Sequence, residues 1–401
     1  MINLSLNKKV LLFGIIFTFF SSFGQSFFLG LFNESIRDEL NISHGQFGSI
    51  YAAATLLSSF VLIWVGKKID DFDVLRFSLF VILLLAISTF IFSKVNSITL
   101  LFVAILLMRF SGQGMMSHTA STTISRYFTN TRGKALSSGW FGLSSAEFLL
   151  PITIIWALGI IDWRNIWIII SLVIIFLLPV ASYLLVREVK LTSRESENEN
   201  EDKKIKQWKR IEVIKDYRFI IIAMNMLAMP WIATGIFVYQ SFILTSKDWG
   251  EFVIAQSFMV YSIASVITLF LAGYLIDKFT SRKLLIYMNL PLLISLIILF
   301  SFESPISSFF FLGLIGVSNG FANVLGSSTW AELYGVKFIG SIKALTTALM
   351  VFSTAFGTAL FGLLIDYGFS IEKISIVSIS YILVSLILLF LIRNKLQPTN
   401  F

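Results

Sequence analysis

The sequence contains no cysteine, and only 13% of its 401 residues are charged. The absence of cysteine excludes disulfides and cysteine-ligated metal or iron–sulfur sites. A soluble globular chain carries about 25% charged residues, roughly twice this content. The chain has two histidines, and no H-E-x-x-H, G-x-S-x-G or G-x-x-x-x-G-K-[ST] motif occurs. We therefore expect no metal centre, no cofactor, no enzyme active site and no ATP-driven pump.

The chain is instead rich in long runs of apolar residues. Hydrophobic residues make up 56% of the sequence, and 41 of them are phenylalanine. Runs at 10–32, 77–92 and 166–186 are close to the length of about 20 residues that a helix needs to cross a bilayer core of ~30 Å. The first run is too long for a signal peptide, and we interpret it as a retained first helix. The sequence predicts an all-α polytopic membrane protein.

Twelve transmembrane helices are predicted, separated by short polar segments. Their ranges are 9–32, 45–66, 75–93, 98–121, 134–159, 163–186, 218–244, 251–277, 283–302, 305–330, 342–366 and 372–393. One long polar segment interrupts them, with an acidic patch at 194–202 followed by a basic stretch at 203–210. We interpret it as a solvated linker with a basic end at the lipid surface, with docking or regulation as the alternative. The predicted domains are 1–186, the linker 187–217, and 218–401.

The distribution of lysine and arginine predicts the orientation. If both termini are cytoplasmic, 25 of the 31 basic residues fall on the cytoplasmic side and five on the outside, and Arg109 remains inside a helix. The positive-inside rule therefore selects cytoplasmic termini and an even number of spans. The net charge of +8 lies in loops at the membrane, so it indicates lipid contact and not nucleic-acid binding. We expect a monomer in the plasma membrane, which in a bacterium is the inner membrane.

An internal repeat with an offset of 207 residues relates the two halves. The offset places Gly66 on Gly273 and Asp70 on Asp277. In a distant second patch it also aligns Ser121, Thr122, Tyr127 and Gly133 with Ser328, Thr329, Tyr334 and Gly340. Two separate patches that share one offset indicate parallel repeats of six helices each.

The loop between helices 8 and 9 resembles the signature of the major facilitator superfamily. It reads Gly273-Tyr-Leu-Ile-Asp277-Lys278-Phe-Thr-Ser-Arg282-Lys283 and matches G-x-L-x-D-[RK]-x-x-x-R-[RK] at every defined position. The copy between helices 2 and 3 keeps Gly66, Asp70 and a basic end. We expect each glycine to serve a tight turn. The resemblance implies two six-helix bundles and a gating role for Gly66, Asp70, Gly273, Asp277 and Arg282; a plain connector is the alternative.

Two further segments resemble one branch of the superfamily. The stretches 109–114 and 126–135 are similar to the monocarboxylate and oxalate/formate carriers. Those carriers usually place basic residues in helix 8 or helix 11, and here neither helix interior contains lysine or arginine. The resemblance implies an organic anion as substrate.

Three ionisable residues lie at mid-membrane depth in the predicted spans, where charge is costly and marks function. Arg109 lies at mid-depth in helix 4 and Glu147 at a similar depth in helix 5. One interpretation is a structural ion pair between these two helices. The other is that Arg109 binds an anionic substrate, with Glu147 as a switchable partner and proton acceptor. His118 is either a packing histidine or a proton relay.

Helical spacing adds polar candidates to Arg109. Helices 1, 4, 7 and 10 line the substrate cavity in the superfamily, and each carries polar residues here. The predicted substrate-binding residues are Arg109, Gln113, Gln25, Asn319, Asn323, Asn225, Tyr239 and Gln240, with a helix break expected at Pro230-Trp231. Each of them alone is also explained as an interhelical contact worth about 0.6–2 kcal/mol.

Secondary transport of a small organic solute is the function that the sequence predicts, with an anion as the substrate and protons as possible coupling ions. An exporter of amphipathic compounds is the alternative, because phenylalanine and methionine are abundant. A transport-inactive sensor with the same fold is a remote alternative.

Overall fold

The structure is a computed structural model that describes residues 5–70, 72–128, 132–189, 206–335 and 337–398. Within these ranges the chain is helical and no strand occurs. Twelve helices are long and apolar enough to cross a membrane, as the sequence predicts. Helices 1 to 12 span Leu6–Gly24, His44–Val65, Val74–Phe92, Ile98–Tyr127, Lys134–Leu158, Trp163–Val186, Tyr217–Val238, Glu251–Ile276, Ser281–Ser301, Pro305–Tyr334, Ser341–Asp366 and Ile371–Lys395.

The chain divides into two compact units, Met1–Ser196 and Glu197–Phe401. In the first unit helix 1 packs on helix 5, helix 2 on helix 4, and helix 3 on helix 6. In the second unit the pairs are helices 7 and 11, 8 and 10, and 9 and 12. The same pairing in both units is what a parallel repeat of six helices produces. The predicted linker 187–217 falls partly on residues 190–205, outside the described residues, so its boundaries stay a prediction.

Helix 1 is shorter than predicted. It ends at Gly24 because Gln25 adopts an extended conformation with φ −84° and ψ 155°. The short helices Ser26–Leu29 and Asn33–Leu40 continue the chain beyond the break. The sequence interrupts the apolar run there only with serine, glycine and glutamine, which also occur inside regular membrane helices, so it does not reveal the break.

Helix 7 breaks at a different place from the predicted Pro230-Trp231. The helix continues through Pro230 and ends at Val238, where Tyr239 leaves helical geometry with φ −106° and ψ 30°. Proline is tolerated inside membrane helices because neighbouring groups satisfy the backbone that it frees. Helix 9 is interrupted at Asn289, whose side-chain amide donates a hydrogen bond of 2.6 Å to the Asn225 carbonyl.

Small residues allow the closest helix crossings inside each unit. In the first unit Thr18 Oγ1 donates to the Gly139 carbonyl at 2.7 Å, which joins helix 1 to helix 5. In the second unit a Cβ on Gly320 would lie 2.7 Å from the Ser265 carbonyl oxygen, so helix 10 approaches helix 8 within backbone contact. Small residues at crossings are the usual means by which membrane helices pack without a hydrophobic driving force.

The signature glycines do not form tight turns, contrary to the prediction. Gly66 is helical, with φ −58° and ψ −30°, and begins a 3₁₀ turn that ends at Asp70. Gly273 lies inside a helix that continues to Phe279, and Thr280 provides the turn with φ +71°. The turn therefore comes seven residues later in the chain than the glycine.

Candidate substrate-binding site

Helix 4 widens at the depth where the sequence places its arginine. Residues Arg109–Met116 form a π-helical segment between two α-helical halves. Such widened turns are rare and occur frequently at functional sites. The segment begins at Arg109 and contains Gly112 and Gly114, whose missing side chains lower the cost of an irregular backbone against a neighbouring helix.

The widened turn lies directly against the break in helix 1. A Cβ on Gly112 would lie 2.7 Å from the Gly24 backbone nitrogen, and a Cβ on Gly24 would lie 2.5 Å from the Gln113 nitrogen. No side chain larger than hydrogen fits at either position without displacing backbone. Two irregular backbone segments thus contact each other at this depth. Both expose backbone polar groups that a regular helix would hydrogen-bond internally.

Arg109 lies in this contact, and only 2% of it is exposed. Its Nη1 donates a hydrogen bond of 2.9 Å to the Gly24 carbonyl at the C-terminal end of helix 1. That end of a helix carries partial negative charge, which favours a cation. The guanidinium carbon also lies 5.3 Å from the centre of the Tyr51 ring. Arg109 Nε has no hydrogen-bond partner among the described residues, so one buried donor remains available.

Tyr51 and Ser26 complete the surroundings of the guanidinium, and the sequence prediction missed both. Tyr51 donates from its hydroxyl to Ser26 Oγ at 3.1 Å. Ser26 Oγ in turn lies 3.5 Å from Arg109 Nη1. The signal that could have found them is a serine next to Gln25 and a tyrosine in the apolar part of helix 2. All the resident partners of the arginine are formally neutral.

The predicted ion pair between Arg109 and Glu147 is absent among the described residues. Glu147 lies in helix 5, is 8% exposed, and has no hydrogen-bond or ion-pair partner in the described part of the chain. The carbonyl at the helix 1 break takes the place that the carboxylate was expected to occupy. The structural-pair interpretation is therefore wrong for this conformation, and Glu147 is left as a buried carboxyl.

The other polar residues of the first unit have distinct environments. Gln25 and Gln113 are half-buried, one at the break in helix 1 and the other in the π-helical segment. His118 Nε2 lies 2.9 Å from the Gly66 carbonyl, which links helix 4 to the end of helix 2. Gln25 and Gln113 are thus near Arg109, whereas His118 packs against the signature loop.

The second unit contains a cavity of about 350 Å³. Asn319 and Asn323 of helix 10 both line it, as their spacing of one helical turn predicts. Asn319 Nδ2 donates to Ser265 Oγ at 3.0 Å, which fixes the amide on the helix 8 side. Lys343 and Trp330 also line the cavity, and neither was predicted. The cavity thus combines amide and ammonium groups with an aromatic ring.

Three predicted residues of helix 7 and its continuation lie outside the lining of this cavity. Asn225 is fully buried, and its side-chain amide has no partner among the described residues. Tyr239 is 1% exposed and donates from its hydroxyl to the Thr358 carbonyl at 3.0 Å. Gln240 is buried and donates to the Phe237 carbonyl at 3.0 Å. Both side chains donate to backbone carbonyls of the second unit in this structure, and their substrate-binding role stays a prediction.

The signature loop of the second unit is anchored through Arg282. Its Nε donates to Glu332 Oε2 at 3.2 Å, and its Nη1 donates to the Leu396 carbonyl at 2.8 Å. Glu332 Oε1 accepts from the Ser281 backbone nitrogen at 2.9 Å, so this carboxylate also caps helix 9. The side chains of Asp70 and Asp277 lie outside the described residues, and their gating role stays a prediction.

The sequence model of the Major Facilitator Superfamily matches residues 14–358. The chain is a member of this superfamily. No curated protein sequence matches it. Among solved structures, the chain is similar to a bacterial homologue of the human lysosomal transporter Spinster, in an inward-facing and unoccupied conformation. The two are 12% identical with a TM-score of 0.72, and the match covers 98% of this chain and 99% of that one. The nucleoside transporter NupG is 13% identical with a TM-score of 0.72, covering 97% and 99%.

These comparisons confirm the superfamily and the all-α fold of twelve membrane helices. They indicate a multi-pass membrane transporter and not an enzyme. At 12–13% identity the solved structures show the fold alone. The likeness to the monocarboxylate branch stays a prediction.

Proposed function

We propose that this major facilitator protein is a secondary transporter for a small organic anion, which it moves by alternating access. The observation that carries the proposal is Arg109, a buried guanidinium whose resident partners are a carbonyl, a hydroxyl and an aromatic ring. A charge at the centre of a membrane span costs about 2.5–3.5 kcal/mol even on lenient insertion scales. An anionic substrate group would offset that cost with charge that the neutral partners lack.

The remaining donor of Arg109 supports the same substrate class. Guanidinium presents its N–H groups as a planar fork that matches a carboxylate or phosphate. Here Nε lacks an acceptor in the described part of the chain while Nη1 is held by Gly24 and Ser26, so the group is oriented before a substrate arrives.

Glu147 supports proton coupling in this proposal. Its carboxyl is buried in helix 5 without a partner among the described residues. Intramembrane carboxyl groups of this kind mark proton relays in transporters. The proposed cycle has Glu147 take up a proton on one side of the membrane and release it on the other, in the conformations that load and unload Arg109.

Transport of an amphipathic compound, including efflux, is the second candidate. The cavity of the second unit is lined by Met226, Met229, Met288 and Met350 in addition to its polar groups. Methionine is flexible and polarizable and occurs often at promiscuous binding surfaces. A panel of carboxylates, nucleosides, sugars and lipophilic cations in a thermal-shift assay on the purified protein separates the two candidates by which class stabilises it.

The proposal is tested by measuring uptake of the anion into proteoliposomes that contain Arg109→Lys or Arg109→Gln. We expect both variants to bind the anion about 10- to 100-fold more weakly, because a lost charge-assisted hydrogen bond costs about 1.5–3 kcal/mol. Arg210→Gln is the matched control, because Arg210 is exposed and lies outside the twelve spans.

A double variant separates a structural role from a binding role. If Arg109→Gln with Glu147→Gln inserts normally and still transports the anion, the substrate-binding role of Arg109 is wrong. If the wild type binds the anion in the thermal-shift assay but transports none of the panel, the chain is a sensor with a transporter fold.

A further inference from the structure

A second cavity lies at the membrane-facing edge of the signature loop in the second unit. This cleft of about 950 Å³ is formed by the end of helix 8, the start of helix 9 and the chain after helix 12. Its lining includes three cations, Arg282, Lys283 and Arg393. Neither the substrate cavity nor Arg109 contributes to it, so the transport proposal leaves it unexplained.

The charge in the cleft is of one sign among the described side chains that line it. Arg282 is partly neutralised by Glu332 through its Nε, at 3.2 Å. Lys283 is exposed and has no ion-pair or hydrogen-bond partner among the described residues. Arg393 is exposed as well, and its guanidinium carbon lies 3.7 Å from the Phe390 ring centre while Nη1 donates to the Phe390 carbonyl. Lys283 and Arg393 therefore have no carboxylate partner among the described residues.

The walls of the cleft are apolar and continue onto the lipid-facing surface. Leu275, Phe279 and Tyr287 line it, and Phe279 and Tyr287 are 43% and 57% exposed. One turn before Leu275 in helix 8, Leu271 and Tyr274 are 54% and 66% exposed. An apolar surface of this kind at the end of a membrane span accommodates an acyl chain.

We propose that this cleft binds an anionic phospholipid, with the phosphate between Lys283, Arg393 and the free edge of Arg282. One acyl chain lies along Leu275 and Leu271. Basic pockets between membrane helices are a recognised means of binding anionic headgroups. Both cations lie at helix ends, where lipid headgroups are found: Lys283 is the third residue of helix 9, and Arg393 lies two residues before the end of helix 12. The predicted orientation makes this the cytoplasmic leaflet.

Occupancy of the cleft would bridge two segments that are separate in sequence. Arg282 already holds the Leu396 carbonyl, which ties the C-terminal segment to the signature loop. A phosphate bound to Lys283 and Arg393 would join the same two segments a second time. The bound lipid is thus expected to stabilise the loop in the conformation seen here.

Native mass spectrometry of the full-length protein tests the site with phosphatidylglycerol and phosphatidylcholine of identical acyl chains. We expect retained phosphatidylglycerol adducts and few phosphatidylcholine adducts. Lys283→Gln with Arg393→Gln should weaken phosphatidylglycerol binding about 25-fold, because each surface cation contributes about a fivefold preference. Lys94→Gln with Lys373→Gln removes the same charge at exposed residues outside the cleft and should leave binding unchanged.

Each other outcome overturns the proposal. Equal binding of both lipids, or undiminished binding by the cleft variant, would show that the basic cleft does not select the headgroup. If inorganic phosphate displaces phosphatidylglycerol and stabilises the protein as strongly as the lipid does in a thermal-shift assay, the ligand is free phosphate and not lipid. If the double variant does not fold, Lys283→Glu alone serves, because Lys283 is exposed, and wild-type lipid binding by that variant contradicts the site.

Discussion

Arg109 shows how one side chain inside a membrane helix acquires partners from backbone geometry. Its hydrogen bond goes to the Gly24 carbonyl, which is accessible because helix 1 ends there. A carbonyl at a helix end provides partial negative charge without a titratable group. The arginine is therefore held in place while its net positive charge stays available to a ligand.

Glu147 is expected to control coupling without controlling affinity. Glu147→Gln keeps the shape and removes the proton-binding group, so anion exchange should continue while uptake driven by a proton gradient falls at least about tenfold. Exchange and gradient-driven uptake are measured in the same proteoliposomes. Glu34→Gln, an exposed residue of the first unit, is the control. Gradient-driven uptake at the wild-type rate would exclude Glu147 from coupling.

Among the elements, the contact between the π-helical segment of helix 4 and the break in helix 1 is the most constrained. Gly112→Ala places a methyl group 2.7 Å from the Gly24 nitrogen. We expect a loss of about 1–3 kcal/mol in stability, the usual cost of overpacking, and a lower melting temperature of the purified protein. Gly273→Ala is the matched control, because a Cβ there meets nothing within 4 Å. Equal melting temperatures for the two variants would contradict the close contact.

The signature loop is the second element with a functional prediction. Asp277→Asn should leave insertion intact, shift the balance of inward- and outward-open states, and slow transport. The physical reason is that an ionised carboxylate in a basic loop stabilises one arrangement of the neighbouring helix ends. Transport rates and membrane abundance are compared with those of Glu251→Gln at the opposite end of helix 8, where the residue is exposed. A wild-type rate for Asp277→Asn would show that the loop is only a connector.

At the scale of the whole molecule, the asymmetry of basic residues predicts cytoplasmic termini. Lysine and arginine concentrate in the loops on the side of both termini, and such loops resist translocation. Reporter fusions at the C-terminus and after helix 6 should both report the cytoplasm, with a fusion between helices 1 and 2 as the external control. A C-terminal reporter found outside would overturn the orientation and the leaflet assigned to the lipid site.

The sequence alone determined that the chain lies in a membrane, how many helices cross it, and that its two halves are repeats. Runs of about 20 apolar residues fit only a lipid bilayer. The 207-residue offset relates two halves whose helices pack in the same pairs. Asn319 and Asn323 were predictable as a pair because one helical turn separates them, and both line the cavity of the second unit.

Only the tertiary structure decided which polar groups meet. The break at Gln25, the π-helical segment at Arg109 and the end of helix 7 at Tyr239 all fall on polar residues, but such residues also occur as interhelical contacts in regular helices, so the sequence does not locate the irregular backbone. Those irregularities gave Arg109 a carbonyl partner in place of Glu147, and at the end of helix 7 Tyr239 and Gln240 donate to backbone carbonyls. The partners of a buried charge depend on backbone groups, and every residue carries the same backbone groups whatever its letter in the sequence.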